Sequence, residues 1–319
     1  MPAALATFKF PTFNNELWKE DDVEKIAYRG WPNCVKLTNG LIELVVTSDV
    51  GPRIIHVSAA GGENLFKVYD EMAGKSGGDM WRIYGGHRLW HAPEVEPRTY
   101  APDNSPVKVK ETKRGLRVVQ PVEASTGIEK QIDVALADGK PSAVVKHTLT
   151  NHGPWPVELA PWALSVMDVG GKVIIPMPPR GTHPECLLPA NTLTLWPYTD
   201  MRDPRWTWGF KYICLQQDAS AKLPQKAGVM VPDGWVACAI KGSLFVKRFD
   251  FVPGAKYPDW GCSVETFTNK DMIEMETVGP LVTLAPGASV EHVERWSVFT
   301  GVPAPKSEDE IDQLLPLLS

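Results

Sequence analysis

Several familiar signals are missing from this sequence. No apolar run reaches the ~18 residues of a membrane-spanning helix, so no membrane partner is expected. No block or stripe of lysine and arginine interrupts a chain of net charge -5, so nucleic acid is not expected as a partner. Met1 to Thr7 shows no basic region followed by an apolar core, and a signal peptide is not expected. Cysteines are few: Cys34, Cys186, Cys214, Cys238 and Cys262 are odd in number and widely spaced, with no CxxC pair to suggest zinc. They fit buried free thiols in a reducing compartment, hence a cytoplasmic location. Helix signals are scarce. Ser307 with Glu310 forms a capping box before Ile311, Leu314 and Leu315, which predicts one short C-terminal helix.

What is abundant is punctuation. The chain holds 29 prolines and 26 glycines, enough to break it into many short elements. Strand-like runs lie between them. Cys34 to Thr38 and Leu41 to Thr47 flank Asn39-Gly40, a strong hairpin signal. Val107 to Thr112 and Leu116 to Val122 flank Lys113-Arg114-Gly115, and Ile128 to Leu136 and Ser142 to Thr150 flank Asp138-Gly139. The pattern continues to a last run from Val290 to Phe299, with Pro286-Gly287 making the turn before it. Segments 70–80 and 98–106 read as loops, and none reads as a linker between two cores. Many strands at short spacing predict an all-β sandwich or barrel, here one domain over 1–319.

Chemistry concentrates in a few segments. Tyr84 to Glu94 reads YGGHRLWHAPE; its glycines and Pro93 oppose a helix, so it is expected as a loop or strand end. It offers His87 and His91 as acid or base, Arg88 as a clamp for polar groups, and Trp90. The bland alternative is a loop whose histidines and arginine satisfy backbone carbonyls. His87 and His91 stand four apart, a metal spacing only on a helix, so no metal is expected. Glu265 sits in an otherwise uncharged strand, where a dry aromatic setting would make it a useful base. Asp259 and Glu276 are nearby carboxylates, and alternation places Glu274 with Glu276 on one face; for Glu274 an exposed face is expected. Lys211 and Lys247, set in apolar runs, are expected to be better ligand contacts than Lys226. The 12 tryptophans serve core packing for the most part, yet indoles also stack on the C–H faces of sugars.

Taken in order, these segments resemble the galactose mutarotase-like superfamily over about residues 30–300. The marks are Gly51-Pro52-Arg53-Ile54, Gly62-Glu63-Asn64-Leu65-Phe66, the Gly85-Gly86 segment, Leu149 to Leu159, Val264-Glu265-Thr266, and Leu284-Ala285-Pro286-Gly287. The sequence looks closest to an uncharacterised branch, marked by GGHRLWHAPE and by ETFTN followed by EMETVGPL.

The resemblance implies a β-supersandwich with a sugar cleft on its concave sheet. The family's aldose 1-epimerases open and reclose a hexose ring, a glutamate taking the anomeric hydroxyl proton and a histidine giving one to the ring oxygen. Glu265 stands at the glutamate's motif. Trp162 stands where the family has its acid histidine. Either His87 or His91 takes the acid's role, or the ring-opening chemistry is gone. The expected substrate contacts are Arg88, Trp90, Trp162, Asp259, Lys211 and Glu276, with Trp260 a further stacking residue. The partner is a small carbohydrate and no cofactor is required; oligomeric state stays open. Two alternatives remain: a sugar-binding module without turnover, and a uronate lyase or hydrolase on the same scaffold.

Overall fold

The computed structural model describes residues 23–318; the segment read for a leader, Met1 to Thr7, lies outside the described residues. The chain opens with β1 (Val23–Tyr28), β2 (Trp31–Thr38), β3 (Ile42–Thr47), β4 (Arg53–Ala59) and β5 (Gly86–Ala92). It continues through β6 (Lys108–Thr112), β7 (Gly115–Val119), β8 (Ile128–Leu136), β9 (Ser142–Asn151), β10 (Val157–Met167) and β11 (Lys172–Pro176). Next come β12 (Leu193–Leu195), β13 (Trp206–Trp208), β14 (Tyr212–Gln216), β15 (Gln225–Val229), β16 (Trp235–Ile240) and β17 (Ser243–Phe249). The last strands are β18 (Val264–Thr268), β19 (Ile273–Val278), β20 (Val282–Leu284) and β21 (Ser289–Thr300), before the short helices α1 (Glu308–Asp312) and α2 (Leu315–Leu318). Among the described residues no helix is long and apolar enough to cross a membrane.

Among the described residues the strands form two antiparallel sheets. One has 11 strands in the order β1-β2-β3-β4-β5-β10-β19-β18-β15-β12, with β20 added beside β10. The other has 10, in the order β13-β14-β11-β16-β17-β21-β9-β8-β7-β6. Their facing sides carry one large apolar cluster that draws Leu44, Leu89, Met167 and Met275 from the first sheet and Val145, Phe245, Trp296 and Val298 from the second. Strand β8 shows the expected alternation, buried at every second residue from Ile128 to Leu136.

Strand β5 differs: all seven of its residues are buried, so both of its faces are covered. The loop or strand end expected at GGHRLWHA is thus a full interior strand. Its two glycines make the entry possible. Gly85 and Gly86 have φ of +97° and +69°, and a Cβ on Gly85 would stand 2.1 Å from the carbonyl oxygen of Lys67. At the other end of the chain, Ser307 accepts a hydrogen bond from the Glu310 amide and caps α1 as expected, although Glu310 reaches back to the Lys306 amide rather than to that of Ser307. Four of the cysteines are buried free thiols, but Cys186 is exposed.

Candidate functional site

Strand register decides what faces the outer side of the 11-stranded sheet. Trp90 pairs with Trp162, Arg88 with Leu164, Leu164 with Glu276, and Glu276 with Glu265. Glu265 pairs in turn with Gly228, and Phe267 with both Glu274 and Lys226. A period of two therefore puts Arg88, Trp90, Trp162, Leu164, Glu274, Glu276, Glu265, Phe267 and Lys226 on one face. Loops close over them and leave a cleft of about 320 Å³. Trp81, Tyr100 and Tyr198 come from those loops and complete its wall.

The wall is aromatic and polar together. Trp90 lies 5.3 Å from Trp81, 5.5 Å from Trp162 and 5.0 Å from Tyr100, centre to centre. The Arg88 guanidinium rests over Trp90 at 4.4 Å and donates from Nη2 to Glu274 at 3.0 Å. Its Nε and Nη1 are buried without a partner, as is Trp81 Nε1. Glu94, at the rim, accepts from the Tyr100 hydroxyl. Burial pushes the Tyr198 phenol up to about 12.

Lys226 lines the floor, and two acids lie beneath it. Lys226 Nζ lies 2.9 Å from Glu265 Oε2 and 3.8 Å from Glu276 Oε2, and sits 4.7 Å from the Trp162 ring and 4.5 Å from that of Trp196. Burial opposes its charge, but the two carboxyls outweigh that and hold it well above its ordinary value. Glu265 is fully buried, and burial drives its carboxyl well up despite Lys226. The same cause pushes Glu276 up to about 7. Gly228 makes room: a Cβ there would meet Cys262 Sγ at 2.4 Å and Glu265 Cγ at 3.4 Å. The Trp162 indole donates to Glu276 Oε2 at 2.8 Å. Trp162 thus supplies no proton where the acid was expected; it anchors a carboxyl instead.

The two histidines lie elsewhere. His87 and His91 alternate with Arg88 and Trp90 and point from β5 into the space between the sheets. His87 shares hydrogen bonds with Ser165 Oγ at 2.9 Å and with His147 Nε2 at 2.7 Å, and His147 belongs to the opposite sheet. His91 lies 3.8 Å from Glu123. The expected pairing of Glu265 with either histidine does not form, because a strand shows successive side chains to opposite faces. The ligand atoms of His87, His147 and Glu294 all fall within 4.8 Å of one another. Each already has a partner, and Lys247 holds Glu294 at 2.6 Å, so this is a hydrogen-bonded core cluster and a poor metal site.

Other expectations divide. Arg88, Trp90 and Trp162 line the cleft, and Glu276 and Glu265 lie behind Lys226, outside the lining. Lys211 does not: it is an exposed residue paired with Asp312 of α1. Lys247 is buried between the sheets, so the cleft lysine is Lys226, the one ranked lowest. Asp259 is half-buried beside the cleft floor, where its carbonyl accepts from Thr194 Oγ1, and Trp260 is 87% exposed. Glu274, expected on an open face, is buried against Arg88. Trp81, Tyr100, Trp196 and Tyr198 were not singled out, for loops carry no register. Lys226 did leave a signal: it is the single charge in the short strand β15, Gln225–Val229, all of which is buried.

No protein-family model matches the chain, and no curated protein sequence matches it. Solved structures share its fold. A galactose mutarotase-like protein from Clostridium acetobutylicum superposes with a TM-score of 0.54 over 90% of this chain and 100% of its own, at 12% identity. For one from Lactobacillus casei the TM-score is 0.51, over 84% and 100%, at 11% identity. A TPR-domain containing protein from Parabacteroides distasonis gives 0.55 at 14% identity, over 85% of this chain but 48% of its own. Identities this low speak for the fold alone. That fold is the galactose mutarotase-like sandwich which the resemblance implied.

Proposed function

We propose that the cleft binds a hexose-sized carbohydrate and that Lys226 on its floor and Glu265 and Glu276 beneath it carry proton transfer of the aldose 1-epimerase type. One observation carries the reading: two buried carboxyls, both pushed up, are held by one ammonium beneath an aromatic cleft. A carboxyl that titrates near neutrality both takes and gives a proton, and mutarotation needs one of each. Lys226 lines the cleft, so it meets the ring oxygen or anomeric hydroxyl first, with Glu265 behind it. The unpartnered Arg88 Nε and Nη1 and the Trp81 Nε1 suit sugar hydroxyls, and the indoles suit the ring's C–H faces. The cleft is at the small end of the range for ligand pockets, roughly 300–1,000 Å³, which fits a single ring. No cofactor is needed for this chemistry.

A second reading rests on the same lysine. Lys226 stands between Glu265 and the cleft, and no histidine among the described residues lines that cleft. A sugar-binding module without turnover would look the same. Polarimetry of glucose, galactose and their 6-phosphates, run beside tryptophan fluorescence, separates the two. The epimerase reading requires mutarotation that Glu265→Gln abolishes. Saturable quenching without turnover leaves the binding module, and no response to any sugar removes both.

A further inference from the structure

We infer that the side of β5 turned away from the cleft carries a second binding site, for a small carboxylic acid, in the cavity between His91, Arg98 and Thr126. The cavity measures about 330 Å³ and is walled on its apolar side by Pro97, Ile128, Val157 and Leu159. It shares no lining residue with the cleft.

The first ground is His91. It is fully buried, yet neither ring nitrogen has a hydrogen-bond partner. Its Nε2 stops 3.8 Å short of Glu123 Oε2. Glu123 is already engaged: Lys130 lies at 2.6 Å, Gln120 donates at 3.2 Å and Thr126 at 2.5 Å. Burial alone would raise that carboxyl, but Lys130, the nearby His91 and Thr126 hold it down to about 2, and Lys130 at 2.6 Å supplies the balancing charge. An unpaired buried imidazole is costly to leave. The contrast with His87 and His147 is direct, since both ring nitrogens of each have partners.

The second ground is Arg98. Its Nη2 donates to the Pro93 carbonyl at 2.9 Å and its Nη1 to that of Glu158 at 3.5 Å, which fixes the plane of the guanidinium. Its Nε is buried and unpartnered, and Arg98 lines the same cavity. A guanidinium N–H and an imidazole on one cavity suit an oxyanion. Burial keeps His91 below its ordinary value, so at neutral pH it adds one N–H and one lone pair while Arg98 supplies the charge. The aliphatic wall prefers an acid with a short apolar tail to a fully hydrated phosphate.

Isothermal titration of the full chain with butyrate and with inorganic phosphate tests this. One saturable butyrate site is expected, with phosphate binding far more weakly. Arg98→Met and His91→Phe should each weaken butyrate roughly tenfold or more, the loss of one hydrogen bond to a charged group. If the phenylalanine variant fails to fold, His91→Asn replaces it and should weaken butyrate in the same direction. Absence of butyrate binding, equal binding of phosphate, or binding that survives both substitutions would overturn the assignment.

Discussion

Two buried lysine–glutamate clusters lie on opposite sides of the 11-stranded sheet, one built on that sheet and one reaching across from its partner, and they behave in opposite ways. Between the sheets, Lys247 holds Glu294 at 2.6 Å and donates to the carbonyls of Ala163 and Met275 at 3.1 and 3.2 Å. Glu294 also accepts from Thr277 at 2.5 Å and from Trp296 at 2.7 Å. Burial would raise its carboxyl, but Lys247 above all, with the neighbouring His147 and His292, pulls it below its ordinary value. The histidines fall into line. Thr277 donates to Glu294, so His292 Nε2 donates to Thr277; His147 donates from Nδ1 to the His292 carbonyl and accepts from His87. Every proton has a place. On the cleft face, Lys226 serves two acids, and Glu265 Oε1 and Glu276 Oε1 accept from nothing. There both carboxyls are pushed up. Burial is equal on the two faces; hydrogen-bond satisfaction is not. A complete network fixes a core, and an incomplete one is where a ligand has something to add.

Removing each lysine is the hardest test of that contrast. Lys247→Met strands a charged Glu294 in the core and should cost about 3–5 kcal/mol in urea unfolding. Lys226→Met should cost much less at pH 5.5 than at pH 8, because Glu265 and Glu276 are held up and can stay neutral at the lower pH. Equal losses for the two variants at both pH values would break the comparison.

The glutamates sharpen it next. Glu294→Gln leaves Lys247 an unbalanced buried charge and should lose about 3 kcal/mol. Glu265→Gln keeps Glu276 beside Lys226 at 3.8 Å, so its loss should stay near 1 kcal/mol. Turnover should show the reverse order: Glu265→Gln abolishes mutarotation, whatever the smaller loss in stability.

Sequence patterns made part of this visible. Hairpin turns and alternation disclosed the sandwich, because a half-buried strand must alternate and a tight turn must use glycine or asparagine. Glu265 was legible as a lone acid among strand residues. The histidines misled because β5 is buried on both faces, so nothing in GGHRLWHA says which parity meets the cleft. Lys226 was ranked below Lys211 because charge in an apolar run reads the same whether it snorkels to water, as Lys211 does, or turns inward to two acids. Loop aromatics such as Trp81 and Tyr198 reach the cleft through chain reversals that leave no periodicity.

Acid sensitivity should belong to the inter-sheet cluster. Burial depresses His87, His147 and His292, the last to about 3. In the unfolded chain they titrate near 6.5, so below that pH the unfolded state binds more protons and stability falls with pH. The slope approaches about 1.4 kcal/mol per pH unit for each histidine that titrates. His147→Gln should be flatter between pH 6.5 and 4.5 than the wild type. A cleft variant such as Glu265→Gln should instead steepen the slope, because a carboxyl raised on folding binds protons in the folded chain over this range and offsets the histidines.

The smallest expected effect is on recognition, and it asks whether Arg88 acts by charge or by shape. Lysine at this position keeps the positive charge near Glu274. It loses the flat guanidinium that rests 4.4 Å from the Trp90 centre, and it loses the Nε and Nη1 donors that now point at no protein acceptor. If those donors meet sugar hydroxyls, Arg88→Lys should weaken sugar binding by about 1 kcal/mol, roughly fivefold in the fluorescence titration. The turnover rate at saturating sugar should hold, since Lys226 and the two acids are untouched. Stability should also change little, for the Glu274 carboxylate keeps a cation beside it. If binding holds steady while stability drops, Arg88 is a strut for Glu274, and the unpartnered donors of the cleft are no guide to its ligand.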